Sequence, residues 1–260
     1  MSAVGASAEV LTTECSEVLR VAELSGRDRD QMFALMDVVY EGVTRAAFER
    51  DLAGKDECIV LRKASGEVAG FSSQRFVSVE VDAARVAPLT GGTPTTGTTT
   101  LAGLFSGDTV IHPDHWGTPV LFQTFARRYI ADDGPPRWWF LVSKGHRTYR
   151  IMPTLFQRFW PNRHGPTPDA ASMVMTTYAE ALYPGDLVNG VLEYHSATDR
   201  LRPGVAGISE SNLRVPDVAF FADANPGWVL GHDLVCLCEL TPDNLRPSMR
   251  PMLLGVGHRA

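Results

Sequence analysis

The unit of strand, turn and helix that ends near residue 130 constrains the fold more than any other part of the sequence. Residues 101–111 form a largely apolar run that predicts a strand, and residues 120–130 have the apolar spacing of a helix. Pro119 suits the first turn of that helix and Thr118 suits its N-cap. Gly117 allows a ligand to approach the backbone, so this turn either holds a phosphate group at the helix N-terminus or is an ordinary strand-to-helix turn.

Strand-like and helix-like segments alternate on both sides of this unit. The predicted elements are a strand at 17–24, helices at 28–40 and 43–52, a hairpin of strands at 58–62 and 68–79, a strand at 138–142, helices at 143–152 and 170–182, and a strand at 234–240. A threonine-rich stretch at 86–100 predicts a long loop between strands. This alternation predicts an α/β fold in which helices cover a twisted mixed sheet.

Length and charge restrict the class of partner. With 260 residues the chain fits one large domain, or a core with an extension. The net charge of −6 argues against a nucleic-acid partner, because such partners bind basic surfaces. No apolar stretch is long enough for a membrane span, and the first residues lack the pattern of a signal peptide, so we expect a cytoplasmic protein without a membrane partner.

The order of elements over residues 17–160 resembles the GNAT superfamily of N-acetyltransferases, with a C-terminal α+β extension added at 161–260. Val110-Ile111-His112-Pro113 followed by Trp116-Gly117-Thr118 is similar to the acyl-CoA segment of that family. The segment SKGHRTYR followed by PTLFQRFWP is similar to divergent GNAT-like proteins of actinobacterial type. The resemblance implies an acyltransferase core at 17–160, after a frayed N-terminus at 1–16.

The resemblance also implies roles for single residues. Val110, Ile111 and His112 would bind the pantetheine arm, and Trp116, Gly117 and Thr118 would bind the pyrophosphate. Ser143, at the end of the next strand, would face the pantetheine, and Tyr149 would act as the general acid toward the departing thiolate. The turn here has a single glycine, and Pro119 removes an N–H donor, so the donor is either acyl-CoA or the phosphopantetheine of an acyl carrier protein.

Three basic side chains follow the buried strand at 138–142. Lys144, Arg147 and Arg150 lie within seven residues, and the two arginines are three apart and hence on one helical face. In an acidic chain this patch predicts a clamp for phosphate or phosphopantetheine, with a solvated helix face as the alternative.

A base is needed if an amine is acylated, because the attacking amine must lose a proton. The candidates are His112, Asp108 and Glu57, and His112 is favoured by its place at the end of the central strand. His112, His115 and Asp114 could instead form a metal site, but no third histidine lies at a suitable spacing, so we expect no metal.

The sequence therefore predicts transfer of an acyl group from a thioester to an amine of a small molecule, with specialised metabolism as the setting. The alternative is a degenerate GNAT fold that binds a thioester, a carrier protein or a small ligand without turnover. The amine acceptor and a carrier protein are the expected partners. The oligomeric state stays open, with a homodimer as one option.

Overall fold

The structure is a computed structural model that describes residues 15–130, 137–194 and 199–255. Most of the predicted frayed N-terminus, residues 1–14, lies outside the described residues. Cys15 and Ser16, which the prediction placed in that segment, instead open the first strand because they pair with Arg62 and Leu61 of a neighbouring strand.

The chain alternates between strands and helices. The strands are β1 (Cys15–Arg20), β2 (Tyr40–Glu41), β3 (Glu57–Arg62), β4 (Val68–Asp82), β5 (Thr98–Ile111), β6 (Arg137–Ser143), β7 (Phe159–Trp160), β8 (Leu187–Val188), β9 (Val191–Leu192), β10 (Arg200–Leu201) and β11 (Asp233–Leu240). The helices are α1 (Gly26–Val39), α2 (Arg45–Ala53), α3 (Ala83–Thr90), α4 (Val120–Tyr129), α5 (His146–Tyr149), α6 (Ile151–Leu155), α7 (Asp169–Leu182), α8 (Pro203–Ala206), α9 (Glu210–Leu213), α10 (Pro216–Ala224) and α11 (Arg250–Leu254). The predicted α/β class, with helices flanking a mixed sheet, is confirmed.

One large sheet runs in the order β1-β3-β4-β5-β6-β11-β9-β8, with β7 paired to β11. Its described neighbours pair antiparallel except β5 and β6, which are parallel. The parallel pairing holds only from Gly103 to Ser106 of β5, opposite Trp138 to Leu141 of β6. Beyond those residues the two strands diverge, and a gap opens in the middle of the sheet.

A β-bulge lies on β5 where the gap begins. Ser72 of β4 pairs with Thr109 and Gln74 pairs with Ser106, so Ser73 alone faces both Gly107 and Asp108. Side chains on a strand alternate between faces, and one extra residue reverses that alternation. Asp108 therefore lies on the face that carries α1 and α2, and Thr109 lies on the face that carries α4.

Helices cover both faces of the sheet. On one face, Trp139 and Leu141 pack in a cluster with Phe125 of α4 and Phe221 of α10. On the other face, Phe140 packs against Tyr178 of α7, with ring centroids 5.8 Å apart, and α1 and α2 cover the first strands. These layers hold the two edges of the gap in place. No helix within the described residues is long and apolar enough to cross a membrane.

Two of the predicted boundaries differ from the structure. Much of the predicted loop at 86–100 is ordered, because α3 continues to Thr90, Gly91 ends it at φ 68°, and β5 begins at Thr98. The predicted extension at 161–260 also enters the sheet itself. Residues 234–240 of β11 pair with β6 along its whole length, so the extension supplies the next strand of the sheet as well as packing on it.

Candidate functional site

Two cavities meet at the gap between β5 and β6. One has a volume of about 550 Å³ and lies against α1 and α2, and we call it the charged cavity. The other has a volume of about 530 Å³ and lies against the turn before α4, and we call it the apolar cleft. Both are lined by Tyr40, Thr109, Thr148 and Leu201, which therefore form a junction between them.

The charged cavity takes its name from four acidic and four basic side chains. Its lining includes the acids Asp51, Asp108, Asp199 and Asp233 and the bases Arg50, Lys55, Arg75 and Lys144. These residues come from α2, β4, β5 and the chain after β6, so only the folded chain brings them together.

Both lysines of the charged cavity are paired internally. Lys55 Nζ lies 2.6 Å from Asp51 Oδ1, and Lys144 Nζ lies 3.2 Å from Asp233 Oδ2 and 3.4 Å from Asp199 Oδ2. Burial lowers the pKa of Lys144, but the two aspartates more than offset this and hold the pKa above its usual value. Both lysines thus act as fixed charges of the cavity wall.

The Asp108 carboxylate differs from the other three acids. Within the described part of the chain it has no hydrogen-bond or ion-pair partner. Its removal from bulk water, and then the negative charge of Asp51, raise its pKa to about 7, although Lys55 acts in the opposite direction. A carboxylate with this pKa can accept a proton near neutral pH.

A series of side-chain hydrogen bonds leads from the protein interior to Thr109 at the junction. Trp139 Nε1 donates to Ser106 Oγ (2.8 Å), Ser106 Oγ donates to Gln74 Oε1 (2.6 Å), and Gln74 Nε2 donates to Ser72 Oγ (2.7 Å). Ser72 Oγ lies 2.8 Å from Thr109 Oγ1. We call these five side chains the hydroxyl chain.

The donors and acceptors of the hydroxyl chain are determined from its Trp139 end. An indole N–H can only donate, so Ser106 must turn its own hydrogen toward Gln74. The amide then donates to the buried Ser72. Either hydroxyl can be the donor between Ser72 and Thr109, and the arrangement in which Ser72 donates is the one that leaves the Thr109 hydrogen for the junction.

The apolar cleft is lined by most of the predicted donor-binding residues. Val110, Ile111, Trp116, Gly117, Thr118, Arg147 and Arg150 all line it. The Arg147 guanidinium stacks over Trp116, 4.2 Å from the ring centroid, and Trp116 Nε1 donates to Ile111 O at 3.0 Å. The end of α4 that faces the cleft has no side-chain cap.

Four predicted site residues lie elsewhere. Tyr149 is fully buried, donates to Pro161 O at 3.1 Å and packs on Phe220 and Phe221, so it reaches neither cavity. Ser143 is fully buried beside Cys236 and also lines neither cavity. The helix α10 covers Tyr149 and the strand β11 covers Ser143, and both elements belong to the extension, far from these residues in the sequence.

Lys144 belongs to the charged cavity rather than to the predicted phosphate clamp. His112 lies outside the lining of both cavities, where its Nδ1 accepts from Asp114 N at 3.3 Å and caps a short 3-10 turn. Glu57 pairs with Arg128 at 2.7 Å and accepts from Tyr129, which leaves Asp108 as the one predicted base that lines a cavity. Among the described residues, no group of three His, Cys, Asp or Glu side chains is arranged to hold a metal ion.

Tyr149→Phe tests the buried placement of this tyrosine. We expect catalytic rates to stay within about twofold of wild type, because the hydroxyl reaches neither cavity. The free energy of unfolding should fall by about 1 kcal/mol, because Pro161 O loses its donor. Urea denaturation and steady-state kinetics measure the two effects, and a large loss of rate without a loss of stability would return Tyr149 to the site.

Sequence reasoning missed Thr109, Tyr40, Asp51, Lys55 and Asp233. Asp108 and Thr109 are adjacent at the end of a predicted strand, which is the one local signal that could have suggested the pair. The other residues lie between positions 40 and 55 or beyond residue 190, and nothing in their spacing connects them with β5.

Comparison with known proteins gives structural likenesses alone. No family model matches the chain, and no curated protein matches it. A conserved protein of unknown function from Enterococcus faecalis V583, described as a probable N-acyltransferase, has a TM-score of 0.38 and 12% identity over 57% of this chain and 33% of its own. The match thus spans about a third of that protein.

Two further solved structures are similar over a comparable part of the chain. A protein provisionally named phosphinothricin N-acetyltransferase has a TM-score of 0.32 and 10% identity over 59% of this chain and 91% of its own. A bacterial toxin has a TM-score of 0.31 and 11% identity over 51% of this chain and 74% of its own.

Proposed function

We propose that this protein is an acyltransferase that moves an acyl group from a thioester to the amine of a small molecule. The observation that carries the proposal is the meeting of the charged cavity and the apolar cleft at the gap between β5 and β6. A transfer between two substrates needs such a layout, because the reacting groups arrive from separate sites and must be held together at one point.

The apolar cleft fits the thioester donor. At Gly117, φ is +92° and a Cβ would have no atom within 4 Å, so a ligand can approach the backbone there. The α4 N-terminus, Arg147 and Arg150 supply positive charge for phosphate, while Val110 and Ile111 offer apolar wall to an extended arm. Acyl-CoA, or the phosphopantetheine of an acyl carrier protein, would supply the acyl group as a thioester.

The charged cavity fits the amine. Burial holds the pKa of the Tyr40 hydroxyl at the junction well above its usual value, and the negative charges of Asp108, Asp233, Asp199 and Asp51 raise it further. A protonated amine would be attracted by these carboxylates, of which three already pair with Lys55 and Lys144. Asp108 is the general base that takes the proton lost by the amine, because its pKa lies near neutral and no described residue pairs with its carboxylate.

Thr109 acts between the two substrates. Thr109 lines both cavities, and its hydroxyl can donate at the junction when Ser72 donates to it. We assign to it a hydrogen bond to the departing thiolate, the group toward which the resemblance had placed Tyr149. A donor aimed at a developing negative charge speeds acyl transfer.

Binding without turnover is the second candidate. It is favoured by Pro119, which offers no N–H at the N-terminus of α4, and by the burial of Tyr149. The two candidates differ in thiol release, because only a transferase frees the thiol when an amine is added.

The test of the proposed function is a calorimetric titration with acetyl-CoA and CoA, followed by a thiol-release assay with small amines. We expect micromolar binding by the wild type and about tenfold weaker binding by Arg147→Ala, because a hydrogen-bonded charge is lost. Arg214→Ala, which removes an exposed arginine outside both cavities, should bind as the wild type does.

Three outcomes of the test differ in meaning. Binding with thiol release supports the transferase. Binding without release from any amine favours the second candidate. If neither acetyl-CoA nor CoA binds, the acyl donor is not a CoA thioester, and the same assay is repeated with an acylated carrier protein.

A further inference from the structure

The charged cavity contains more charge than its internal pairs use. Lys55 is satisfied by Asp51, and Lys144 by Asp199 and Asp233. Lys144 also donates to Gly231 O at 2.9 Å. Three charged groups of the lining then remain, namely Asp108, Arg50 and Arg75.

These three groups have no partner within the part of the chain that the structure describes. Neither the Arg50 nor the Arg75 guanidinium has a hydrogen bond or an ion pair there, and both side chains are exposed. Arg50 precedes Asp51 on α2, and Arg75 lies on β4 opposite Phe105. With respect to the described residues, the cavity thus has one unpaired acid, Asp108, and two unpaired bases, Arg50 and Arg75.

Negative and positive side chains of the charged cavity act on the same residue, Tyr183. Burial raises the pKa of the Tyr183 hydroxyl well above its usual value, Asp233, Asp51 and Asp108 raise it further, and Arg75 lowers it. Tyr183 packs edge-on against Phe105, with ring centroids 5.9 Å apart. Phe105 pairs with Arg75 of β4 and lies three residues before Asp108 on β5, so Tyr183 lies beside both charged residues. Arg75 and Asp108 therefore face the same cavity rather than separate surfaces.

The spacing of the groups restricts the ligand. Arg75 is paired with Phe105, three residues before Asp108 on β5, which corresponds to roughly 10 Å along the strand. A ligand that contacts both groups needs its cation and its anion several bonds apart.

We propose that the acceptor is an amine that carries an acidic group, a carboxylate or a phosphonate, at the far end of a short chain. The amine lies toward Asp108 and the acid toward Arg50 and Arg75, whose planar guanidinium groups suit either anion. The inference rests on the proposed transferase function, since it names the substrate class of the same site.

The test is calorimetric titration of the full chain with matched probes and no thioester. The probes are 4-aminobutyrate, 3-aminopropylphosphonate and n-butylamine, which share an amine and differ at the other end. We expect the two acidic probes to bind at least about tenfold more tightly than n-butylamine, because each gains charge-assisted hydrogen bonds. In the double variant Arg50→Gln/Arg75→Gln that preference should fall to within about threefold.

Arg85→Gln is the control variant. It removes an exposed arginine on α3, outside the cavity, and should keep the full preference. Equal binding of n-butylamine and the acidic probes, no binding of either acidic probe, or a preference that survives in the double variant would each overturn the inference.

Thiol release separates this inference from the proposed function. If thiol is released with n-butylamine as readily as with the acidic amines, the transferase stands and the acidic acceptor does not. If the acidic probes bind with the expected arginine dependence and no amine releases thiol, the cavity binds this class of ligand but the transferase fails.

Discussion

Asp108→Asn is expected to lower kcat/KM for acyl transfer by about 10²–10⁴-fold, the usual contribution of a positioned general base. The substitution keeps the shape of the side chain and removes its ability to accept a proton. Asp108 has no hydrogen-bond or ion-pair partner within the described residues, so the change breaks no internal contact. Asp223→Asn, at an exposed position on α10 outside both cavities, is the control and should leave the rate unchanged.

The pH profile tests the same assignment. A carboxyl group with a pKa of about 7 is protonated below that pH, so the base is lost as the pH falls. The kcat/KM of the wild type should therefore rise with pH through about 7, and the remaining activity of Asp108→Asn should lack this rise. A variant that keeps the rise would transfer the role to another group, with His112 the next residue to replace.

Thermal unfolding distinguishes loss of the base from loss of the fold. The pKa of Asp108 is higher in the folded chain than the value of about 3.9 expected after unfolding, so ionisation opposes folding. The contribution of Asp108 to the stability of the wild type should fall as the pH rises between these two values. Asp108→Asn should consequently have a higher Tm than the wild type at about pH 8 and the same Tm near pH 3.

The parts of the site that the sequence predicted are local in the chain. Val110, Ile111, Trp116, Gly117 and Thr118 follow one another from the strand end into the turn, so any fold that keeps this unit brings them to one cleft. The strand itself and the buried strand β6 have apolar patterns that only burial explains. The resemblance assigned these residues to one site, and their closeness in the chain explains why they line one cleft.

The charged cavity could not be predicted in the same way. Asp51 and Lys55 come from α2 and the residues that follow it, while Asp233 opens β11 about 180 residues later. The bulge that turns Asp108 toward them is visible only in the pairing of β5 with β4. Without the extra residue, Asp108 would lie on the face of Leu104 and Ser106, away from α2.

The position of Tyr149 could not be predicted from the sequence either. The helix α5 has four residues, too few for an apolar period to decide which side faces the sheet. Tyr149 follows β6 in the chain, as the resemblance implies, but its ring packs on Phe220 and Phe221 of α10. A helix from the extension therefore decides the orientation.

Thr109→Val should lower kcat by about 10²–10³-fold with little change in KM, because a donor aimed at developing charge acts mainly in the transition state. Valine nearly preserves the volume and removes the hydroxyl. It also leaves the buried Ser72 without an acceptor, at a cost of about 1–3 kcal/mol in the free energy of unfolding.

Thr109→Ser separates the two effects. Serine restores the hydroxyl at the end of the hydroxyl chain, so it should recover most of the wild-type kcat as well as the stability. Steady-state kinetics and urea denaturation of both variants provide the comparison.

Ser72→Ala shows whether the chain behind Thr109 matters. It keeps the Thr109 hydroxyl but removes the group that accepts from Gln74 and donates to Thr109. Thr109 is then free to turn its hydrogen away from the junction, so kcat should fall by about tenfold while the pH profile set by Asp108 stays in place. If Thr109→Val retains a kcat within about threefold of the wild type, the hydrogen bond at the junction must come from another group, and the hydroxyl chain serves stability alone.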